Sequence, residues 1–139
     1  MKGEYKSTLD AKGRMNIPIK LREEIGDSFV ISKTIGNSCI KVYSLDEWQK
    51  LVEKIRSMPS VQTQGIQRFL FGSAFDVTAD KQGRISVPAA LREYAKLTAD
   101  VVVVGLEGGA EIWDKSEWAR FNEVTNSEEL LNQALELGI

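Results

Sequence analysis

The chain has 139 residues, 42% of them hydrophobic and 27% charged, with a formal net charge of −2. This is ordinary globular composition, which excludes disorder, and the longest apolar run, Val101 to Val104, is strand-sized against the roughly 20 residues that cross a bilayer. Histidine is absent and Cys39 is the single cysteine, which removes Ser-His-Asp and Cys-His catalysis, the commonest transition-metal ligand and any intrachain disulfide. The opening Met-Lys-Gly-Glu-Tyr-Lys lacks the apolar core of a signal peptide. The expectation is a cytoplasmic protein with no membrane contact, no cofactor and no metal. Charge is unevenly spread: residues 1–22 carry six cations against Glu4 and Asp10, whereas residues 97–139 carry nine acids against Lys115 and Arg120. A docking polyanion feels only the local field, so a basic face can coexist with a near-neutral whole.

In chain order, residues 5–9 alternate as a short strand, and residues 10–13, Asp-Ala-Lys-Gly, make a tight turn in which Gly13 supplies a positive φ. A second strand follows over 14–17, with Met15 and Ile17 on one face. Pro18 stands where a helix begins, at the first helical position. That helix is expected over 18–25, with Gly26 as its C-terminal cap. Strands over 28–34 and 40–43 form a hairpin around Gly36-Asn37, and Cys39, in the alternating Ser-Cys-Ile-Lys-Val-Tyr, reads as a small buried residue. Ser44 and Glu47 have the spacing of a capping box for a helix running to about Arg56. Residues 57–74 read as a loop, with a short helix possible over 64–71.

The pattern then starts again. At a constant offset of 70, Thr8, Asp10, Gly13, Arg14, Pro18, Leu21, Arg22 and Glu23 recur as Thr78, Asp80, Gly83, Arg84, Pro88, Leu91, Arg92 and Glu93, and Glu47-Trp48 recurs as Glu117-Trp118. An ungapped match that includes a tryptophan reads as two copies of one fold. The second copy therefore predicts strands over 75–79 and 84–87, a helix over 88–97, and a hairpin of 100–106 with 111–113 turning at Gly108-Gly109. Asp114 and Glu117 would make another capping box. A last helix is expected over 126–137, capped by Ser127. Its stripe of Leu130, Leu131, Ala134 and Leu137 packs either on its own chain or on another subunit.

A strand, an Asp-x-x-Gly-Arg turn, a second strand, a Pro-led helix with Leu-Arg-Glu and a hairpin resemble the SpoVT/AbrB family. The resemblance implies a mainly β fold with short helices (α+β), in which half-modules interlace as swapped-hairpin, double-split β-barrels. Its implied organisation is an AbrB-like domain over 5–47, a helical linker over 48–75, a second domain over 76–119 and a C-terminal helical tail over 120–139. The tandem pair of turns, Asp10-Ala11-Lys12-Gly13-Arg14 and Asp80-Lys81-Gln82-Gly83-Arg84, resembles the branch of that family that regulates transcription of a division and cell-wall gene cluster in which its own gene lies first. This implies a nucleoid-associated repressor that binds repeated promoter sites on double-stranded DNA as a ring-like homo-oligomer.

The residues fit such work. Arg14 and Arg84 follow the turns at strand starts, where a planar guanidinium can pair bidentately with guanine or with a phosphate, a geometry lysine does not reproduce. Asp10 and Asp80, whose charge repels phosphate, either hold these arginines extended or accept backbone N–H groups of the turn. Lys12 and Lys81 are free to meet phosphates, and Gly13 and Gly83 shape the turns. A plainer reading makes each turn a hairpin locked by an Asp–Arg pair. Arg22 and Arg92 fit an ion pair on a solvated face as well as a phosphate contact, and Trp48 and Trp118 fit packing better than base stacking. Catalysis through Asp10 with Asp80, or Glu47 with Glu117, is disfavoured because repetition puts each carboxylate in its own module. A toxin-wrapping interaction module and a purely structural ring are the remaining rivals.

Overall fold

A computed structural model of the chain describes residues 1–124 and 127–139. Its elements in order are β1 Glu4–Thr8, β2 Arg14–Asn16, α1 Ile19–Ile25, β3 Ser28–Lys33, β4 Ile40–Tyr43, α2 Leu45–Arg56, α3 Ser60–Leu70, β5 Phe75–Thr78, β6 Arg84–Ser86, α4 Ala89–Tyr94, β7 Asp100–Leu106, β8 Gly109–Asp114, α5 Lys115–Val124 and α6 Ser127–Leu137, with a single 3-10 turn, Phe71–Ser73, between α3 and β5.

The two copies are woven together. Six strands form one antiparallel sheet in the order β1-β7-β8-β4-β3-β5, and β2 pairs with β6 in a second, two-stranded sheet. Each copy's first strand therefore pairs with the other copy's third: Lys6 lies opposite Val102, and Asp76 opposite Val30. The copies also meet in register at β4–β8, where Ile40 faces Ile112 and Val42 faces Ala110, and at β2–β6, where Met15 faces Ile85. Both antiparallel contacts exchange onto themselves when the copies are swapped, so the chain has a local two-fold axis.

The core follows from strand alternation. Met15 and Ile85 of the small sheet, with Ile17 and Val87 just after it, share one buried cluster with Phe29, Ile31, Val42, Val101, Val103 and Ile112 of the large sheet and with Leu21 and Leu91 of α1 and α4. Fully burying a side chain of this size stabilises by about 1.5–3 kcal/mol, and both copies contribute side chains to this one cluster. Neither copy owns a complete core, as the small size of each predicts.

Several expectations need correction. Pro18 and Pro88 are N-caps rather than first helical residues: their extended ψ values of 137° and 145° place them just outside helices that start at Ile19 and Ala89. α4 stops at Tyr94, short of Leu97, because Lys96 takes φ 56° and the Leu97 N–H reaches back to the Arg92 carbonyl, a C-terminal cap of the left-handed kind. The second hairpin turns at Glu107-Gly108, since Gly109 already pairs with Leu106 and Tyr43. The capping boxes are half made. Ser44 Oγ accepts the Glu47 N–H (3.0 Å), while the Ser44 N–H lies 3.5 Å from the Gly108 carbonyl and Glu47 pairs with Lys50 instead. Asp114 caps α5 through Oδ2 from Ser116 and Glu117.

The linker is more helical than its composition suggests. α3 begins after Pro59, and its buried residues are Thr63 and Leu70, seven positions apart on one helical face. Trp48 stacks edge-on against Tyr43 and Phe71, and Trp118 packs on Trp113 and Phe121 while donating to Glu4 at 2.7 Å. Both tryptophans are packing residues. Cys39 is buried just before β4, and burial pushes its thiol up to about 12. Among the described residues no helix is long and apolar enough to cross a membrane. Ser127 is already helical, and the position before it lies outside the described residues.

Candidate nucleic-acid interface

Each Asp-x-x-Gly-Arg turn is closed by its own aspartate. Asp10 Oδ1 accepts the N–H of Lys12 (2.9 Å) and of Arg14 (2.8 Å), and Asp10 Oδ2 accepts Arg14 Nε at 2.9 Å. The second copy repeats this closely: Asp80 Oδ1 accepts from Gln82 and Arg84 at 2.9 Å each, and Oδ2 accepts Arg84 Nε at 3.0 Å. The carboxylate thus does both jobs weighed from the sequence. It takes the backbone donors of the turn and fixes the arginine through Nε, which leaves the two Nη groups without a hydrogen-bond partner among the described residues. Gly13 and Gly83, both at φ 79°, close the turns, and Lys12 and Lys81 are exposed at their tips.

Two backbone N–H groups and one guanidinium hold each carboxylate below the usual carboxylate range, the Arg14 and Arg84 backbone donors contributing most. A folded pKa below the unfolded one gives a contribution that is present above the unfolded value, about 3.9, and lost as pH falls through the folded one. Carboxyl titration followed by NMR should therefore show Asp10 and Asp80 with midpoints below that of a free aspartate. The turns should stay intact from neutrality to about pH 5 and loosen only below about pH 4. Midpoints at or above the free value would show that the carboxylates do not organise the turns.

The two turns belong to one surface. In the β2–β6 ladder Arg14 lies opposite Ser86 and Asn16 opposite Arg84, so Arg14 and Arg84 are diagonal neighbours with Cα atoms about 7–8 Å apart. Met15 and Ile85 point into the core, and alternation sends Arg14, Asn16, Arg84 and Ser86 outward together. Asn16 and Ser86 are exposed. The residue-by-residue reading passed over both, although the period of two that put Met15 and Ile17 inside also puts Asn16 outside. The result is a two-stranded ribbon bearing two partly exposed arginines and two short polar side chains, flanked by lysines.

The turns also lean on each other's copies. The Gly83 carbonyl accepts the Ile17 N–H (2.9 Å) and the Gly13 carbonyl accepts the Val87 N–H (2.8 Å). Arg22 pairs with Asp27 at 3.6 Å and Arg92 Nε donates to the Val87 carbonyl at 3.0 Å. Arg22 and Arg92 are partly buried beneath the turns rather than spread on an open helix face.

The chain matches a protein-family model described as "MraZ protein, putative antitoxin-like", over residues 1–67 and 70–137. It is similar to proteins named transcriptional regulator MraZ from several bacteria. It is 43% identical to that of Acetivibrio thermocellus, with 99% of this chain and 98% of the relative covered. Identity is 42% to that of Caldanaerobacter subterraneus subsp. tengcongensis (89% and 87% covered) and 43% to that of Heliobacterium modesticaldum (87% and 85%).

Proposed function

The chain belongs to the MraZ family of transcriptional regulators, and from this premise we propose that it is a sequence-specific DNA-binding regulator acting at the nucleoid. It inserts the β2–β6 ribbon into the major groove, reads bases with Arg14 and Arg84, and represses its own gene cluster from repeated promoter sites. The observation that carries this reading is the outward face of the ribbon, with Arg14, Asn16, Arg84 and Ser86 side by side. A major groove admits a two-stranded β-ribbon, arginine pairs bidentately with guanine, and asparagine does so with adenine. Lys12 and Lys81 position the ribbon on phosphates. Asp10 and Asp80 hold the arginines and the turn glycines, Gly13 and Gly83, keep the tips tight.

One ribbon binds weakly, and a homo-oligomer that presents several ribbons to successive DNA repeats raises affinity through effective concentration. In support of self-association, α6 buries none of its residues, and Leu130, Leu131, Leu135 and Leu137 are 52–74% exposed. An apolar face of this kind on a soluble protein marks an interaction surface, and a head-to-tail contact that closes makes a ring. Leu130→Glu combined with Leu137→Glu is expected to lower the mass seen by light scattering while the monomer stays folded; an unchanged mass would remove α6 from the contact.

The test is a titration of fluorescent DNA from upstream of the gene against scrambled DNA at low and moderate salt. Affinity should fall steeply with salt as counterions are released, and Lys12→Ala with Lys81→Ala should flatten the logarithmic slope by about 1.8 per bound chain. A well-folded protein that binds neither DNA refutes the proposal.

A further inference from the structure

The glycine of each turn is pressed from the other copy by a guanidinium. A Cβ built on Gly13 would stand 3.0, 3.1 and 3.3 Å from Cζ, Nε and Nη2 of Arg92. One built on Gly83 would stand 2.8, 3.0 and 3.2 Å from Nη2, Cζ and Nε of Arg22. Three atoms of a planar group at nearly equal distance mean that the group presents its flat face. Glycine is needed here for the space as well as for φ. The same glycines receive N–H groups from Val87 and Ile17, residues that lead into the helices carrying Arg92 and Arg22. Each turn is therefore clamped at its glycine from two sides by one segment of the opposite copy.

We propose that Arg22 and Arg92 are positioning residues that act crosswise: Arg92 holds the 10–14 turn and so aims Arg14, while Arg22 holds the 80–84 turn and so aims Arg84. The inference rests on the DNA-reading role given to Arg14 and Arg84. It assigns the Leu-Arg-Glu arginines to neither alternative drawn from the sequence, for each acts through the partner copy's turn. Neither turn is complete within its own repeat, so each reading arginine depends on one arginine of the opposite copy. The clamps differ in strength. Arg92 Nε is anchored on the Val87 carbonyl, whereas Arg22 Nε is buried with no partner among the described residues and Arg22 relies on a 3.6 Å contact to Asp27.

The test has an arm without DNA and an arm with it. In the free protein, Arg92→Gln should speed amide exchange at Lys12 and Arg14 by about tenfold and leave Gln82 and Arg84 unchanged, and Arg22→Gln should do the reverse. Acceleration confined to the variant's own copy, or equal in both turns, overturns the proposal. Arg92→Lys should not rescue the effect because an ammonium has no flat face; rescue would show that charge alone suffices and would overturn it too. In the DNA arm, Arg92→Gln should cost about tenfold in affinity when added to Arg84→Ala, where only the first turn reads, and less than about twofold when added to Arg14→Ala. Equal losses in both backgrounds would make Arg92 a direct DNA contact. If DNA reading itself is wrong, the second arm shows no binding differences while the first arm still decides the clamp.

Discussion

With Arg14 and Arg84 both replaced by alanine, the protein is expected to keep its fold and to lose about 10²- to 10⁴-fold in affinity for its operator, since each bidentate base contact is worth about 1–3 kcal/mol. The fold should survive because both side chains are partly exposed (33% and 29%) and their pairs with Asp10 and Asp80 are surface pairs, which contribute little to stability. The aspartates would still hold the turn backbones through the N–H groups of residues 12, 14, 82 and 84. Each Arg→Lys change alone should keep non-specific, salt-sensitive binding and lose discrimination, because the charge remains and the planar fork does not. Anisotropy titrations beside thermal melts separate these outcomes. Unaltered affinity in the double variant, with an unaltered melt, would make the turns structural locks.

Gly109→Ala should be among the most damaging single substitutions to stability. A Cβ there would lie 2.1 Å from the Val42 carbonyl oxygen and 3.2 Å from its carbon, and both are backbone that cannot swing away. Val42 and Tyr43 pair with Ala110 and Gly109, so relief of the clash must open the β4–β8 ladder, the central seam between the copies. Overpacking in a well-packed core costs about 1–3 kcal/mol, occasionally more, and the rigidity of this site puts the expected loss at about 3 kcal/mol. Gly65→Ala is the control of opposite sign. It lies inside α3 with nothing within 4 Å of its Cβ position, so alanine should stabilise the protein by up to about 1 kcal/mol. Urea unfolding of the two variants reads both. Equal stability for Gly109→Ala and the parent would mean that the seam is looser than its geometry.

Local physics made much of this legible in advance. Alternation placed Met15, Ile17, Ile85 and Val87 inside, the Gly13 and Gly83 turns fell where expected, and Ser44 and Asp114 cap their helices. Local pattern alone did not show what depends on the other copy; the interlacing was expected only through the family resemblance, and its register not at all. Lys6 meeting Val102 rather than a strand of its own repeat is a long-range choice that no local pattern encodes. The ungapped repeat also conceals two compensating shifts. Thr8 pairs with Asp100 while its counterpart Thr78 pairs with Ser28, so the third strands correspond at an offset of 72, and the shorter second hairpin restores 70 by β8. Gly109 was misread as a turn residue because two consecutive glycines signal a turn locally, whereas crowding by Val42 is what demands the second. The site followed the same division. Asp10, Gly13 and Arg14 were visible as a motif, while the flat contact of Arg92 on Gly13 was out of reach because it joins residues far apart in sequence.

Sequence reading by this ribbon is tested by the ratio of affinities for upstream and scrambled DNA, measured by competition at one moderate salt concentration. A sequence-reading ribbon predicts a ratio of about 10³ or more. A ratio near one, with protein that is folded and of unchanged oligomeric mass, would contradict it.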